Sequence, residues 1–423
     1  MKKSRNRFWF GVVFFILLVW IKGSFVSCAD EITIVIDPGH GGSNLGAQWD
    51  GHDEKDLTLI TANAMKEYLE LFDGVTVYMT REGDSELSLK ERADFANDKK
   101  ADFLLSLHYN MSEEHTLFGA EVWIPSAGEQ YSKGYAFADV QMREFERMGL
   151  FFRGIKTRLN HKGTDYYGII RNCSEYGIPA VVVEHCHLDQ QKDLNFWNSE
   201  EKLRRFGVAD ATSVARYFQL KSDALGLDYS DYDVLSVPAP TQVMAPDRVP
   251  PEYCKLSLVE ISNEDAMVKV SVEAADADTL IHYVEFSYDG GKTWKDLQAF
   301  TGEKKEFVLQ LERGTSPVLM ARAYDMYDLK TESEAVNLEP VPLVLIIPEE
   351  NVENDQILQE QDSKHEETEV MSSSVMVQND LFLYGLLGVL TALFILLLGS
   401  YLSVYIVSRR YRKGASMGGR KRR

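Results

Sequence analysis

Ile32-Thr33-Ile34-Val35-Ile36-Asp37-Pro38-Gly39-His40-Gly41-Gly42 is the stretch on which the fold turns. Ile32 to Ile36 is a short continuous apolar run, the pattern of a strand buried on both faces. Pro38 and three glycines then break the strand and leave His40 just beyond its end, where the backbone can approach a ligand closely. Working outward, Asp56 to Leu71 places Leu57, Ile60, Ala64, Tyr68 and Leu71 on one helical face. Val75–Thr80, Ala101–Leu107, Ala120–Ile124 and Ala180–Glu184 read as strands. Leu87–Asn97, Lys133–Met148 and Glu200–Phe218 read as helices. This alternation over residues 32 to about 220 predicts an α/β domain with helices on both faces of a sheet.

Polar residues with metal chemistry recur at the edges of these elements. His52-Asp53-Glu54-Lys55-Asp56-Leu57 puts the carboxylate of Glu54 just ahead of the first helix, and Leu105-Ser106-Leu107-His108-Tyr109-Asn110 ends an apolar strand in His108. Ligands of open α/β sheets collect at the carboxyl ends of strands. Two histidines and a carboxylate with an open fourth position form a common catalytic zinc set. Pro179-Ala180-Val181-Val182-Val183-Glu184 drives a glutamate out of an apolar run, a costly placement for a charge unless it is paired or functional. Each residue also has a structural reading: His40 or His108 as a satisfied strand-end histidine, Glu54 as a carboxylate at a helix N-terminus, Glu184 as a buried salt-bridge partner.

The stretch from Thr33 to about Leu220 resembles the zinc-dependent N-acetylmuramoyl-L-alanine amidases of family 3. Ile36-Asp37-Pro38-Gly39-His40-Gly41-Gly42, Glu54-Lys55-Asp56-Leu57, Thr80-Arg81 with Leu89 to Asn97, Ser106-Leu107-His108-Tyr109-Asn110 and Pro179 to Glu184 match its motifs in order. The resemblance implies a mixed sheet with helices on both sides. It also implies Zn2+ held by His40, Glu54 and His108, with Glu184 as general base and acid. The expected activity is hydrolysis of the amide between N-acetylmuramic acid and L-alanine in peptidoglycan. The alternatives are an inactive amidase-like peptidoglycan-binding or activator protein, and a zinc peptidase acting on stem peptides.

One departure follows the glutamate, where the family often has glycine and an aromatic residue and this chain has His185-Cys186-His187-Leu188-Asp189. If the strand continues, Cys186 shares a face with Glu184 while His185 and His187 point the other way. The three are either an extra metal or redox contact or simple family variation. Arg81 and Arg92 read as ties between helix, loop and sheet. Asn110 either orients His108 or satisfies a turn, and His52, His115 and His161 read as solvated loop residues.

The rest of the chain changes character. Residues 221–252 carry Val237-Pro238-Ala239-Pro240 and Val249-Pro250-Pro251, the mark of a stiff linker. In residues 253–347 Val268, Val270 and Val272 alternate with Lys269, Ser271 and Glu273, and Tyr288-Asp289-Gly290-Gly291-Lys292 reads as a hairpin turn. This predicts an all-β immunoglobulin- or fibronectin-like sandwich, a spacer or a docking module for the wall or a protein partner. Residues 348–380 are acidic, with Glu349, Glu350, Glu353 and Asp355 at their start, and read as a disordered stalk. Residues 381–407 carry no charge and exceed the ~20 residues that span a bilayer. The basic tail of residues 408–423, with Arg409, Arg410, Arg412 and Lys413, marks the cytoplasmic side.

At the other end, Lys2, Lys3, Arg5 and Arg7 precede an apolar run from Phe8 to Ile21 and the small residues Ser27-Cys28-Ala29, so residues 1–29 read as a signal peptide. An uncleaved anchor and a lipid anchor on Cys28 are the competing readings. The expected localisation is the cell membrane, single-pass, with the catalytic domain facing the wall. A formal net charge of -20 disfavours nucleic acid as a partner, since a polyanion would be repelled. If cleavage follows Ala29, Cys173, Cys186 and Cys254 remain, an odd set that cannot be a fully paired disulfide framework.

Overall fold

Ile34, Val35 and Ile36 are each 0% exposed, at the centre of a six-stranded sheet in the computed structural model, which describes residues 31–343. The strands are β1 (Ile32–Pro38), β4 (Val75–Met79), β5 (Phe103–Asn110), β6 (Ala120–Trp123), β7 (Phe152–Lys156) and β8 (Ala180–His187), in the order β4-β1-β5-β8-β6-β7. All neighbours run parallel except β6 against β8, so the sheet is mixed. A two-residue ribbon, β2 (Gln48–Trp49) with β3 (His52–Asp53), lies between β1 and the first helix.

Alternation of side chains sorts the sheet into two apolar layers. Ile34, Ile36, Leu105, Leu107, Val181 and Val183 pack with Leu57, Met65, Phe137, Phe145, Leu203 and Phe206. These last come from α1 (Glu54–Leu69), α3 (Gly128–Met148) and α6 (Glu200–Tyr217). Val35, Leu104, Ala180 and Val182 pack on the other face with Ala93, Ala96, Ile169, Ile170 and Cys173 of α2 (Leu89–Asp98) and α4 (Gly168–Glu175). Helices therefore cover both faces. A short helix, α5 (Leu194–Trp197), precedes α6.

Several sequence expectations need correction. The first helix begins at Glu54 rather than Asp56, because Glu54 N donates to Ala47 O and the β2–β3 ribbon delivers the chain already turned. β5 runs on through His108 to Asn110, and β8 to His187, each held by the other. β7, α4 and α5 lack a long periodic signature and were not foreseen. Cys186 does not share a face with Glu184. The ladder slips between the pairs His108–Glu184 and Asn110–His187, a bulge that turns Cys186 into the core beside Val181 and Val183.

After a hairpin of β9 (Lys221–Ser222) and β10 (Leu227–Asp228), the linker carries no regular structure, yet it is not free. Met244 N donates to Ser126 O at 2.7 Å and Thr157 Oγ1 donates to Met244 O at 2.7 Å. The β-rich part has two sheets. One is β11 (Tyr253–Ser262), β12 (Met267–Ala275) and β15 (Lys304–Gln310). The other is β14 (Lys295–Ala299), β13 (Ile281–Ser287), β16 (Val318–Asp325), β17 (Lys330–Glu332) and β18 (Val336–Asn337). Val268, Val270, Val272, Val284, Phe286, Leu319 and Ala321 form their shared core. The Asp289 carboxylate accepts Lys292 N and Thr293 N and shapes the β13–β14 turn.

This β-rich part docks on the α/β part. Tyr283, Leu297 and Tyr324 cluster with Phe118, and the Tyr283 hydroxyl donates to Phe118 O. Arg153 of β7 donates to Asp328 Oδ2 at 2.9 Å. Cys173, Cys186 and Cys254 are buried, and no disulfide joins them among the described residues. Among the described residues no helix is long and apolar enough to cross a membrane. The expected signal (1–29), stalk (348–380), membrane helix (381–407) and basic tail (408–423) lie outside the described residues.

Candidate active site

The site forms where β1, β5 and β8 end side by side, because parallel neighbours deliver their carboxyl ends to one edge. β1 ends in Pro38 and the next turn carries His40 at φ 61, a left-handed backbone that few side chains adopt. Two arginines hold this turn. Arg92 donates to Pro38 O (2.8 Å), to His40 O (2.6 Å) and to Asp37 Oδ1 (2.8 Å). Arg81 donates to Pro38 O (3.0 Å) and Gly39 O (2.8 Å) and reaches Lys55 O at the start of α1 (2.7 Å). Asp37 is 1% exposed and also accepts Thr80 Oγ1 and Ser106 Oγ, so the β1 end is tied to both neighbouring strands.

Glu54 enters from the first turn of α1. Its carboxylate is spent across the site rather than on its own helix: Oε1 accepts Tyr109 N at 3.0 Å and Oε2 accepts Ala47 N at 2.8 Å. His40 Nε2 lies 3.0 Å from Oε2, and His108 Nδ1 lies 3.0 Å from Oε1 and 3.2 Å from His40 Nε2. Burial alone would raise the Glu54 pKa, but the two imidazoles outweigh it and hold the carboxyl well below the usual range. Burial works against a charged His40 too, and the Glu54 carboxylate overrides it and raises that pKa.

Two glycines make the convergence possible. A Cβ on Gly39 would stand 2.4 Å from His108 Cε1, so the imidazole can lie against the β1 turn only if that residue is glycine. Gly46, at φ +72, would bring a Cβ within 2.5 Å of Glu54 Oε2.

The three side chains fit a metal ion. One ligand atom from each of His40, Glu54 and His108 lies within 4.8 Å of the others. Ligands about 2.0–2.1 Å from a tetrahedral zinc sit roughly 3.3 Å apart, close to the separations found here. His40 Nδ1 is 2.9 Å from Asn44 Oδ1, an acceptor that keeps the proton on Nδ1 and leaves the Nε2 lone pair facing the other two. Asn44 escaped the sequence reading. Nothing but its place two residues after a glycine pair marks it, and only the fold brings it under His40.

Glu184 lies in β8 directly across from His108 of β5. Its Oε2 is buried and has no hydrogen-bond partner among the described residues. Burial, and after it the charges of Glu54 and Glu121, raise its pKa well above the ordinary carboxylate value. Glu121 is the second residue that sequence reasoning missed. It pairs with Glu184 across β6 and β8 and is 3% exposed. Burial would raise its pKa, but Lys156 (2.6 Å) and Arg153 (3.0 Å) hold it charged. Its three-residue apolar surroundings, Ala120, Val122 and Trp123, gave the only hint.

The remaining candidates find other partners. Asn110 donates to Glu121 Oε1 at 2.9 Å and accepts Met111 N, so it does not bond His108 directly. His185 bonds His108 O (2.8 Å) and Asp210 Oδ2 (2.9 Å), and His187 bonds Gly119 O (3.1 Å). Both are buried in packing roles, and neither they nor Cys186 belong to the three-residue ligand cluster. His52 and His161 are exposed, while His115 is exposed but pinned to Asp189 at 2.7 Å. A groove of about 600 Å³ opens from His40 and His108 along Glu86, Leu87, Ser88 and Leu89.

Comparison with known proteins points to one family. The family described as N-acetylmuramoyl-L-alanine amidase matches residues 34–216. The N-acetylmuramoyl-L-alanine amidase CwlM of Bacillus licheniformis is 31% identical over 198 residues, 46% of this chain and 72% of the relative. The sporulation-specific N-acetylmuramoyl-L-alanine amidase of Bacillus subtilis is 30% identical over 191 residues, 45% of this chain and 69% of the relative. The solved catalytic domain of CwlV from Bacillus (Paenibacillus) polymyxa is 29% identical, with a TM-score of 0.39 over 45% of this chain and 99% of that domain. By its match to these relatives over the segment that builds the site, the chain belongs to the N-acetylmuramoyl-L-alanine amidase family.

Proposed function

We propose that the chain hydrolyses the amide between N-acetylmuramic acid and L-alanine in peptidoglycan, using zinc held by His40, Glu54 and His108. The observation that carries this reading is the convergence of His40 Nε2, His108 Nδ1 and a Glu54 oxygen at 3.0–3.2 Å, with an unpartnered Glu184 carboxylate one strand away. Zinc bound there supplies Lewis-acid polarisation of the scissile carbonyl and eases ionisation of the attacking water. Glu184 takes the proton of that water on its carboxylate and returns it to the departing L-alanine nitrogen. Its raised pKa suits a group that must both accept and give a proton. The Glu121 charge, fixed by Arg153 and Lys156, helps to set that value. The groove beside Glu86 to Leu89 receives the glycan or stem peptide.

The ectodomain is tethered outside the plasma membrane by residues 381–407, with the β-rich part an immunoglobulin-like spacer or docking module. The uncharged run and the basic residues after it support this reading. Mass spectrometry of digested muropeptides tests the activity: free stem peptides beginning with L-alanine, and glycan strands bearing unsubstituted lactyl groups, are the expected products. Cleavage within the stem would replace the amidase by a peptidase, and absence of any product would leave a binding protein. Elemental analysis tests the metal, with one zinc per chain expected and its loss in the His40→Ala plus His108→Ala double variant.

A further inference from the structure

A second cluster of metal-competent side chains lies far from the first in sequence. Asp247 of the linker, Asp276 just after β12 and Asp325 at the end of β16 bring carboxylate oxygens within 4.8 Å of one another. Each has one oxygen engaged by backbone amides. Asp247 Oδ1 accepts Val249 N at 2.9 Å. Asp276 Oδ1 accepts Asp278 N at 2.9 Å and Thr279 N at 2.7 Å. Asp325 Oδ1 accepts Tyr327 N and Leu329 N, each at 2.8 Å. This leaves Asp325 Oδ2 as the oxygen free to face the other two, and among the described residues it is buried without any hydrogen-bond partner, in a residue that is 0% exposed. An ionised carboxylate oxygen in that position is strongly disfavoured unless a cation or proton meets it.

We propose that Asp247, Asp276 and Asp325 form a calcium site that braces the joint between the linker, the β-rich part and the α/β part. The donors are all hard oxygens with no histidine or cysteine among them, which selects calcium or magnesium over zinc. Calcium is the better fit, since its variable coordination tolerates ligands brought by three separate segments and completed by water, whereas magnesium demands a near-ideal octahedron. Burial, followed by the neighbouring Asp247 and Asp276 charges, pushes the Asp325 carboxyl up to about 7 against the pull of its two backbone amides, as expected where like charges await a counter-ion.

The location gives the ion a task. The turn after Asp325 carries Tyr327, whose hydroxyl accepts Thr157 N at 3.2 Å, and Asp328, which pairs with Arg153 at 2.9 Å. Arg153 in turn bonds Glu121, the neighbour of Glu184. The linker holding Asp247 is anchored three residues earlier, at Met244. A cation shared by the three aspartates therefore ties the linker to the turn that docks on β7.

The test uses the full-length chain in detergent, titrated with calcium alone and with magnesium alone. One calcium per chain is expected, with a Kd on the order of 0.1–1 mM, the range of extracellular modules. The thermal midpoint rises with calcium concentration, because a ligand of the folded state stabilises it by mass action, and rises much less with magnesium. The His40→Ala plus His108→Ala variant keeps the full response, which separates this ion from the catalytic metal. In Asp276→Asn, whose amide oxygen can still accept both loop N–H groups, affinity falls at least tenfold while amidase activity without calcium is unchanged. Asp325→Asn tests the buried oxygen in the same way. The proposal is overturned if the midpoint ignores calcium up to about 10 mM, above the weakest affinity of such modules. It is equally overturned if Asp276→Asn responds like the parent chain, or if only acidification below pH 7 stabilises the fold, which would make the proton the occupant.

Discussion

His40 sits in a left-handed conformation that costs on the order of 1–3 kcal/mol for a non-glycine residue. Arg92 and Asn44, gripping its carbonyl and its Nδ1, offset that cost and fix the ring. Glu184 shows the opposite arrangement, with a buried carboxylate oxygen left without a donor among the described residues. We therefore expect Glu184→Gln to keep metal and fold but lose about 10²–10⁴-fold in amidase activity. Activity within a few-fold of the parent chain would move the base elsewhere, with Asp189 the first alternative to test, since its Oδ2 is bonded to His115 and Ser112 but its Oδ1 has no partner among the described residues. The same variant makes a stability prediction. Glu184 has a higher pKa folded than unfolded, so its charge destabilises the fold once the pH passes the unfolded value of about 4.3. In metal-free protein Glu184→Gln should raise the thermal midpoint at pH 7, and that gain should shrink as the pH falls toward about 4 and be gone below it. A gain that persists undiminished in acid would show that charge burial is not its source.

Between elements, α2 is the buttress of the turn that carries His40. Ser88 and Glu91 form a capping box at its start, and Arg92, 3% exposed, crosses to Asp37 of β1. Removing one partner of a buried ion pair leaves the other charge unpaired, at a cost of about 3–5 kcal/mol. Arg92→Ala should lose that much in urea unfolding and lower zinc occupancy with it, since the His40 carbonyl loses its donor. Arg92→Lys keeps the charge but not the fork that reaches Pro38 O and His40 O together, and should recover less than half. A loss under about 1 kcal/mol in Arg92→Ala would mean that solvent reaches Asp37 and that the pair is not structural.

At the scale of the molecule, the two parts meet through an apolar cluster, a buried charge chain and the hydrogen bonds Thr157 N to the Tyr327 hydroxyl and Lys192 Nζ to Leu297 O. Asp328→Ala removes the β-rich end of that chain while Arg153 keeps Glu121. A loss of about 1–3 kcal/mol is expected, the worth of hydrogen bonds to a charged group. Calorimetry should show the β-rich part unfolding ahead of the α/β part. An unaltered single transition would show that Asp328 carries little of the joint and that the other contacts, Tyr283, Leu297, Tyr324 and Phe118 among them, hold it. Topology is the remaining prediction. Protease added to intact protoplasts should degrade the amidase part and spare a tag fused after Arg423, because Arg409, Arg410, Arg412 and Lys413 directly follow the uncharged run. A protected amidase part with a cleaved tag would contradict both the orientation and access to peptidoglycan.

What the sequence determined by itself is what local pattern can encode. Ile34 to Ile36 and Val181 to Val183 announce buried strands because no polar residue interrupts them. His40, His108 and Glu184 are visible because each follows such a run. The valines of β12 announce a half-buried strand by strict alternation. The tertiary structure alone decided which strands are neighbours, and with that which polar groups meet. Asn44 under His40, Glu121 beside Glu184, and Asp247, Asp276 and Asp325 around one point come from segments whose spacing carries no period. The bulge that buries Cys186 was equally hidden, because it arises from pairing with β5 and not from the residues of β8. Periodicity reports how a segment meets solvent, whereas a site depends on distances between segments, and those are set by packing across the whole chain.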